Sequence, residues 1–110
     1  MTKSYLAVKW NTVKYLQDPA RTKLPRNFQM GIVTRNRNSI TTSLWKEGKH
    51  VGNMHIDIAP YYNNRNSIVA DFTGHTNKNY RGKGIGTWYR ALITKALLNS
   101  GVNYISHSGV

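Results

Sequence analysis

Apolar and polar residues alternate over four stretches of the chain and recur at helical spacing over two. Phe28, Met30, Ile32 and Thr34 alternate with smaller or polar neighbours, which predicts a strand closing in a turn over 35–38. Residues 39–45 and 51–58 make the clearest hairpin, joined by Lys46-Glu47-Gly48-Lys49. In its second strand Met54, Ile56 and Ile58 share one face, and Val51, Asn53, His55 and Asp57 share the other. Residues 60–66 read as a polar loop around Tyr61-Tyr62. Residues 67–73 read as another strand, with Ile68, Ala70 and Phe72 on one side and Val69, Asp71 and Thr73 on the opposite side. Ile85, Trp88, Tyr89, Leu92, Ile93, Ala96 and Leu97 form an apolar stripe that predicts a helix over 85–99, stopped by Gly101 and followed by a short strand over 102–105. Residues 5–16 fit two periods: Leu6, Val8 and Trp10 alternate like a strand, while Leu6, Trp10, Val13 and Leu16 fit one helix face. A helix ending near Pro19 is the expectation, with a basic loop over 18–26 after it.

This pattern predicts one α/β domain spanning residues 1–110, with a basic N-terminal region (1–38) and a core (39–106). An apolar content of 39% fits a globular chain rather than a disordered one. No apolar run is long enough to span a bilayer and no signal-peptide pattern is present, so a cytoplasmic protein without a membrane partner is expected. Cysteine is absent, which excludes disulfides, thiolate nucleophiles and cysteine-ligated zinc.

Charge changes the picture more. Sixteen Lys and Arg against four Asp and Glu give +12, which points to anionic partners: nucleic acid, an acidic protein or a polyanionic ligand. Lys3, Lys9, Lys14, Arg21, Lys23, Arg26, Arg35 and Arg37 are opposed in the first third of the chain by Asp18 alone. Trp10, Tyr15 and Phe28 are interleaved with them, a mixture suited to single-stranded nucleic acid. A solvated basic face beside ordinary core aromatics explains the same residues.

The richest local signal is Arg81-Gly82-Lys83-Gly84-Ile85-Gly86, which opens the last helix. Glycines permit close approach and positive φ, and the unpaired N–H groups of a helix start favour phosphate. A Walker loop would place Ser or Thr after Gly82-Lys83, where Gly84 stands. A dinucleotide fold would need an acid beyond the turn to hold a ribose, and the last acid in the chain is Asp71. The run Asn79-Tyr80-Arg81-Gly82-Lys83-Gly84-Ile85-Gly86-Thr87 resembles motif A of the GNAT superfamily of N-acetyltransferases, Arg/Gln-x-x-Gly-x-Gly/Ala, on Arg81, Gly84 and Gly86. The resemblance covers residues 39–106.

It implies a mixed, mostly antiparallel sheet with flanking helices, the acyl-CoA N-acyltransferase-like fold. It also implies acetyl-CoA as co-substrate and transfer of its acetyl group to an amine. The CoA pyrophosphate would lie on Gly82, Lys83, Gly84, Gly86 and Thr87, with Arg81 fixing the turn or approaching phosphate. The preceding strand, ending near His75 and Thr76, would pair with the pantetheine arm. The family continues after residues 102–105 with a helix, often carrying a tyrosine general acid, and two more strands; this chain reaches Val110 without them. A sheet short of those strands would expose an edge for another chain. The alternative is therefore a catalytically reduced protein on the same scaffold, binding nucleic acid or an acidic partner.

For acid–base work the carboxylates are Asp18, Glu47, Asp57 and Asp71. Asp18 beside Pro19 reads as a helix end and Glu47 as a solvated turn residue. Asp71, on the strand facing the expected cleft, and His75 near its end are the candidate bases. His55 and Asp57, two apart on one strand face, fit a metal pair, a substrate clamp or a solvent-facing pair. The last is expected, since no third ligand stands at a suitable spacing.

Overall fold

A computed structural model describes residues 4–107, with His107 described by its backbone. Helix α1 is Tyr5–Gln17 and the short α2 is Pro19–Thr22. Strands β1 (Phe28–Val33), β2 (Ser39–Lys46), β3 (Lys49–Tyr61) and β4 (Asn64–Thr76) follow, then a 3-10 turn at Lys78–Tyr80, helix α3 (Ile85–Asn99) and strand β5 (Tyr104–His107). The five strands lie side by side in chain order; β1 to β4 are antiparallel neighbours, and β5 joins β4 in parallel after the α3 crossover.

Helix α1 forms where two periods compete. The Ser4 side chain caps its N-terminus by accepting from the Ala7 N–H, and Asp18 ends it in an extended conformation. The buried face differs from the expected one. Val8, Thr12, Val13, Tyr15 and Leu16 are buried, whereas Trp10 is 49% exposed. Lys9 replaces it inside: its stem is covered and its Nζ donates to the Asn36 carbonyl at 2.7 Å. The loop expected over 18–26 holds α2, because Asp18 caps a second helix that starts at Pro19, by accepting from the Ala20 N–H.

The meander is longer than the alternation suggested. The residues read as a polar loop over 60–66 belong mostly to β3 and β4, which run to Tyr61 and from Asn64. Polar side chains there face solvent from a hairpin tip, so polarity did not mark a loop. The Glu47-Gly48 turn between β2 and β3 has positive φ at both residues (53° and 79°), the geometry that suits a two-residue hairpin. The final strand begins at Tyr104, two residues later than expected; the Asn103 side chain accepts from the Ile68 N–H just before it.

One face of the sheet carries the core. Ile40, Leu44, Met54, Ile56, Ile58, Ile68, Ala70 and Phe72 pack against Val8, Val13 and Leu16 of α1 and Tyr89, Ile93, Ala96 and Leu97 of α3. The opposite face presents Thr41, His55, Asp57, Asp71, Thr73 and His75. Val51 breaks the expected alternation: it is fully buried although it precedes Asn53, His55 and Asp57. Leu44 pairs with Gly52 and Trp45 with His50, so Val51 is an extra, bulged residue. Gly74 lies on the core face where a bulky aliphatic would be usual, and the Met54 side chain fills its space.

Candidate functional site

A cleft of about 520 Å³ lies beside the glycine turn, between the end of β4 and the start of α3. It is lined by Gly74, His75 and Thr76 of β4, Arg81, Gly82 and Gly84 of the turn, and Gly86, Thr87 and Arg90 of α3. The chain reaches this shape through local chemistry. Asn77 caps the 3-10 turn by accepting from the Asn79 N–H, and its own N–H donates to the Val51 carbonyl at 2.7 Å. Arg81 Nε donates to the Thr76 carbonyl at 2.9 Å, which closes the loop. Gly82 and Gly84 then adopt φ of +76° and +80°, a region that strains residues bearing a Cβ.

Gly84 is the N-cap of α3 and makes no side-chain capping bond. The first intrahelical bond runs from the Trp88 N–H to the Gly84 carbonyl, so no N–H of the first turn has a helical acceptor. There is no acid in that turn. Open backbone N–H groups, the positive end of a 15-residue helix and the guanidinium groups of Arg81 and Arg90 converge on one cleft. That arrangement has the charge and the donors that suit a polyanion such as a pyrophosphate.

Six of the seven residues expected at the cofactor turn line this cleft: Thr76, Arg81, Gly82, Gly84, Gly86 and Thr87. Lys83 does not; with φ positive on both sides of it, it lines the neighbouring groove with Pro25, Phe28, Lys46, Ile85 and Trp88. Of the two candidate bases, His75 lines the cleft. Asp71 lies further along β4 on the open face, in register with Asp57 of β3 and Ser106 of β5. Arg90 was missed; its position four residues after Gly86, on the same helix face, is the signal that would have found it.

β4 has one further property suited to an extended ligand. Its pairing with β5 covers Val69 to Phe72, while β4 itself continues to Thr76. Among the described residues, the β5-side edge over 73–76 therefore has no strand partner, next to the cleft.

Tyrosine placement matters for proton transfer. Tyr89, in the first turns of α3, is fully buried and bonded to the Thr42 hydroxyl. Burial pushes its phenol up to about 12, the Thr42 bond opposing that shift. It is a core group and does not line the cleft. Tyr104 stacks near Tyr61, ring centroids 4.7 Å apart. Of the aromatics interleaved with the basic N-terminal residues, Tyr15 is buried, Phe28 packs edge-on to Trp88 at 6.1 Å, and Trp10 is exposed. Among the described residues no three His, Asp or Glu side chains gather as a metal site would require. No described helix is long and apolar enough to cross a membrane.

Structural comparison decides the fold. A GNAT family acetyltransferase from Staphylococcus aureus superposes with a TM-score of 0.65 at 11% identity, covering 76% of this chain and 87% of that one. The fold is that of the GNAT acetyltransferases. An aminoglycoside acetyltransferase from an uncultured soil metagenome matches all of this chain and 76% of its own at TM-score 0.61 and 12% identity. An aminoglycoside N-acetyltransferase solved in complex with CoA matches 79% of this chain and 81% of its own at 0.59 and 13%. The GNAT likeness thus extends through the N-terminal region as well as residues 39–106. No protein-family model and no curated protein matches the sequence itself.

Proposed function

We infer that this protein is an N-acetyltransferase that binds acetyl-CoA in the β4–α3 cleft and transfers its acetyl group to an amine. The observation that carries this reading is the union of an uncapped helix start, two positive-φ glycines and two arginines in one cleft on a GNAT scaffold. The residues present fit the co-substrate. The N–H groups of the turn and first helical residues, with Arg81, Arg90 and the Thr87 hydroxyl, would hold its pyrophosphate. The β5-side edge of β4 over 73–76, without a strand partner among the described residues, offers backbone groups to the amides of a pantetheine arm. The bound molecule supplies an activated acetyl thioester.

The chain's own task is to hold an unprotonated amine beside that thioester, stabilise charge and take up a proton. His75, at the cleft wall, is a candidate proton acceptor. Asp71 lies five residues from Thr76, about 17 Å along the strand, towards the far end of an extended arm. The +12 charge supports an acceptor carried on an anionic partner, such as nucleic acid or an acidic protein. A cytoplasmic location belongs to the same reading. The binding-only alternative gains no support from the structural likenesses.

Isothermal titration of acetyl-CoA into the wild-type chain and into Gly84→Glu tests this. Micromolar binding that disappears in the variant is expected, because a side chain at φ +80° strains the turn and a carboxylate opposes phosphate. No heat with the wild-type chain would refute the assignment.

A further inference from the structure

Three segments distant in sequence bring cations to one end of the sheet. The connection from α2 to β1 supplies Arg26, the turn between β2 and β3 supplies Lys46 and Lys49, and the segment between β4 and α3 supplies Lys78 and Lys83. Backbone bonds tie these segments together: the Glu47 N–H donates to the Asn27 carbonyl at 3.0 Å, and the Asn77 N–H donates to the Val51 carbonyl at 2.7 Å. Of the four carboxylate side chains, Glu47 alone belongs to this end, and its Oε1 accepts from the Asn27 side chain at 3.3 Å. Asp18 is held by Arg21 at the start of α2, Asp57 lies 3.2 Å from His55 on the open face, and Asp71 shares that face. Among the described residues, none of the five cations is in an ion pair. An uncompensated basic surface of this kind draws a polyanion.

Aromatic surface is interleaved with these charges. Lys46 and Lys83 line a groove of about 380 Å³ together with Pro25, Phe28 and Trp88. Lys46 Nζ stands 5.5 Å from the centre of the Phe28 ring, and Phe28 meets Trp88 edge-on. One residue before Lys46, Trp45 points to the opposite face of the sheet, where it is 38% exposed and edge-on to His50 at 5.1 Å. The groove and the Trp45 ring therefore lie on either side of the turn that carries Lys46 and Lys49. This succession of ring, cation and ring matches a single nucleic-acid strand, in which planar bases alternate with phosphates. Carboxylates alone would engage the lysines and leave the rings uncovered. A duplex keeps its bases inside the stack, out of reach of the groove.

We propose that this end of the sheet is a docking surface for single-stranded nucleic acid. One base enters the groove against Trp88 and another stacks on Trp45, while Arg26, Lys46, Lys49 and Lys83 meet the phosphates between and beside them. The surface adjoins the β4–α3 cleft at Gly84, which lines both the cleft and the groove. It goes beyond the acetyl-CoA assignment and does not depend on it, because its four phosphate-binding cations stand outside the cleft lining.

Fluorescence anisotropy of a labelled oligo-dT of about fifteen nucleotides, titrated with the wild-type chain, tests this. Between about 50 and 200 mM salt, log affinity should fall against log salt with a slope of about −3, from four phosphate contacts at about −0.7 each. Lys46→Glu/Lys83→Glu should weaken binding more than about tenfold and roughly halve that slope. Arg35→Glu/Arg37→Glu makes the same change of net charge at the far end of β1, beyond the reach of screened interaction, and should cost less than about threefold. Trp45→Ala should lose about tenfold, and tryptophan fluorescence of the wild type should be quenched on binding. Lys49→Glu, at an exposed turn position outside the groove, repeats the test with the groove intact and should reduce the slope by about 0.7. Thermal melts check that each variant is folded. No binding at low salt, equal losses in the two double variants, or wild-type affinity in Trp45→Ala would overturn the proposal. So would tighter or equal binding of poly-glutamate, which marks an acidic-protein surface, or of a duplex of the same length, which marks a surface that reads phosphate alone.

Discussion

Gly52 shows how a single missing side chain shapes the cleft. A Cβ there would stand 2.4 Å from the His75 carbonyl oxygen and 3.3 Å from the Thr76 Cα, both backbone atoms of the cleft wall. Gly52→Ala must therefore push β4 outward. A stability loss of about 1–3 kcal/mol and weaker acetyl-CoA binding are expected in thermal melts and calorimetry. Gly31→Ala, which meets nothing within 4 Å, is the control and should match wild type. Tyr89 makes a prediction about pH. Its folded-state pKa is raised, so its contribution to stability is whole below the ordinary value of 10 and is lost as pH climbs towards 12. Two pKa units correspond to about 3 kcal/mol. Tyr89→Phe should cost about 1–3 kcal/mol at pH 7 by leaving the buried Thr42 hydroxyl unpaired. It should also flatten the alkaline decline, as urea unfolding at pH 7, 9 and 11 would show.

At the scale of elements, α3 is both a core helix and the anion-binding wall. Its apolar stripe, Tyr89, Leu92, Ile93, Ala96 and Leu97, is buried as its spacing predicts. Arg90 points the other way, into the cleft. Arg90→Ala should weaken acetyl-CoA binding about tenfold to a hundredfold, as expected for one charge-assisted contact of about 1.5–3 kcal/mol. Lys95→Ala, on the same helix but away from the cleft, should not. The glycine turn and α3 were legible because their signals are local: φ preferences at Gly82 and Gly84, and a strict 3.6-residue period. The face of α1 was not, because Lys9 is buried only through a carbonyl 27 positions away, at Asn36. The same holds for Val51, whose burial depends on a bulge opposite Leu44 and Trp45. His55 and Asp57 were legible as a solvent-facing pair, each about half exposed; the Thr41 hydroxyl 3.0 Å from His55 Nδ1 required the strand register.

At the scale of the whole molecule, the sheet has two unlike sides. Helices α1 and α3 cover one, and the other bears Thr41, His55 and Asp57, with Tyr61 and Tyr104 in contact beyond them. The alternation from Asn53 to Asp57 in β3 and from Asp71 to His75 in β4 fits such a face, since a strand covered on both sides would read as a continuous apolar run. The order of the strands has a kinetic meaning as well. Every pairing from β1 to β4 joins sequence neighbours, so it closes a short loop and can form early. Only β5 must wait for a 27-residue detour through the glycine turn and α3. The β4–β5 pairing, which ends beside the cleft, is then the last to form and the first to breathe. Amide hydrogen exchange should find β5 the least protected strand and the centre of β3 and β4 the most, with acetyl-CoA slowing exchange at that pairing.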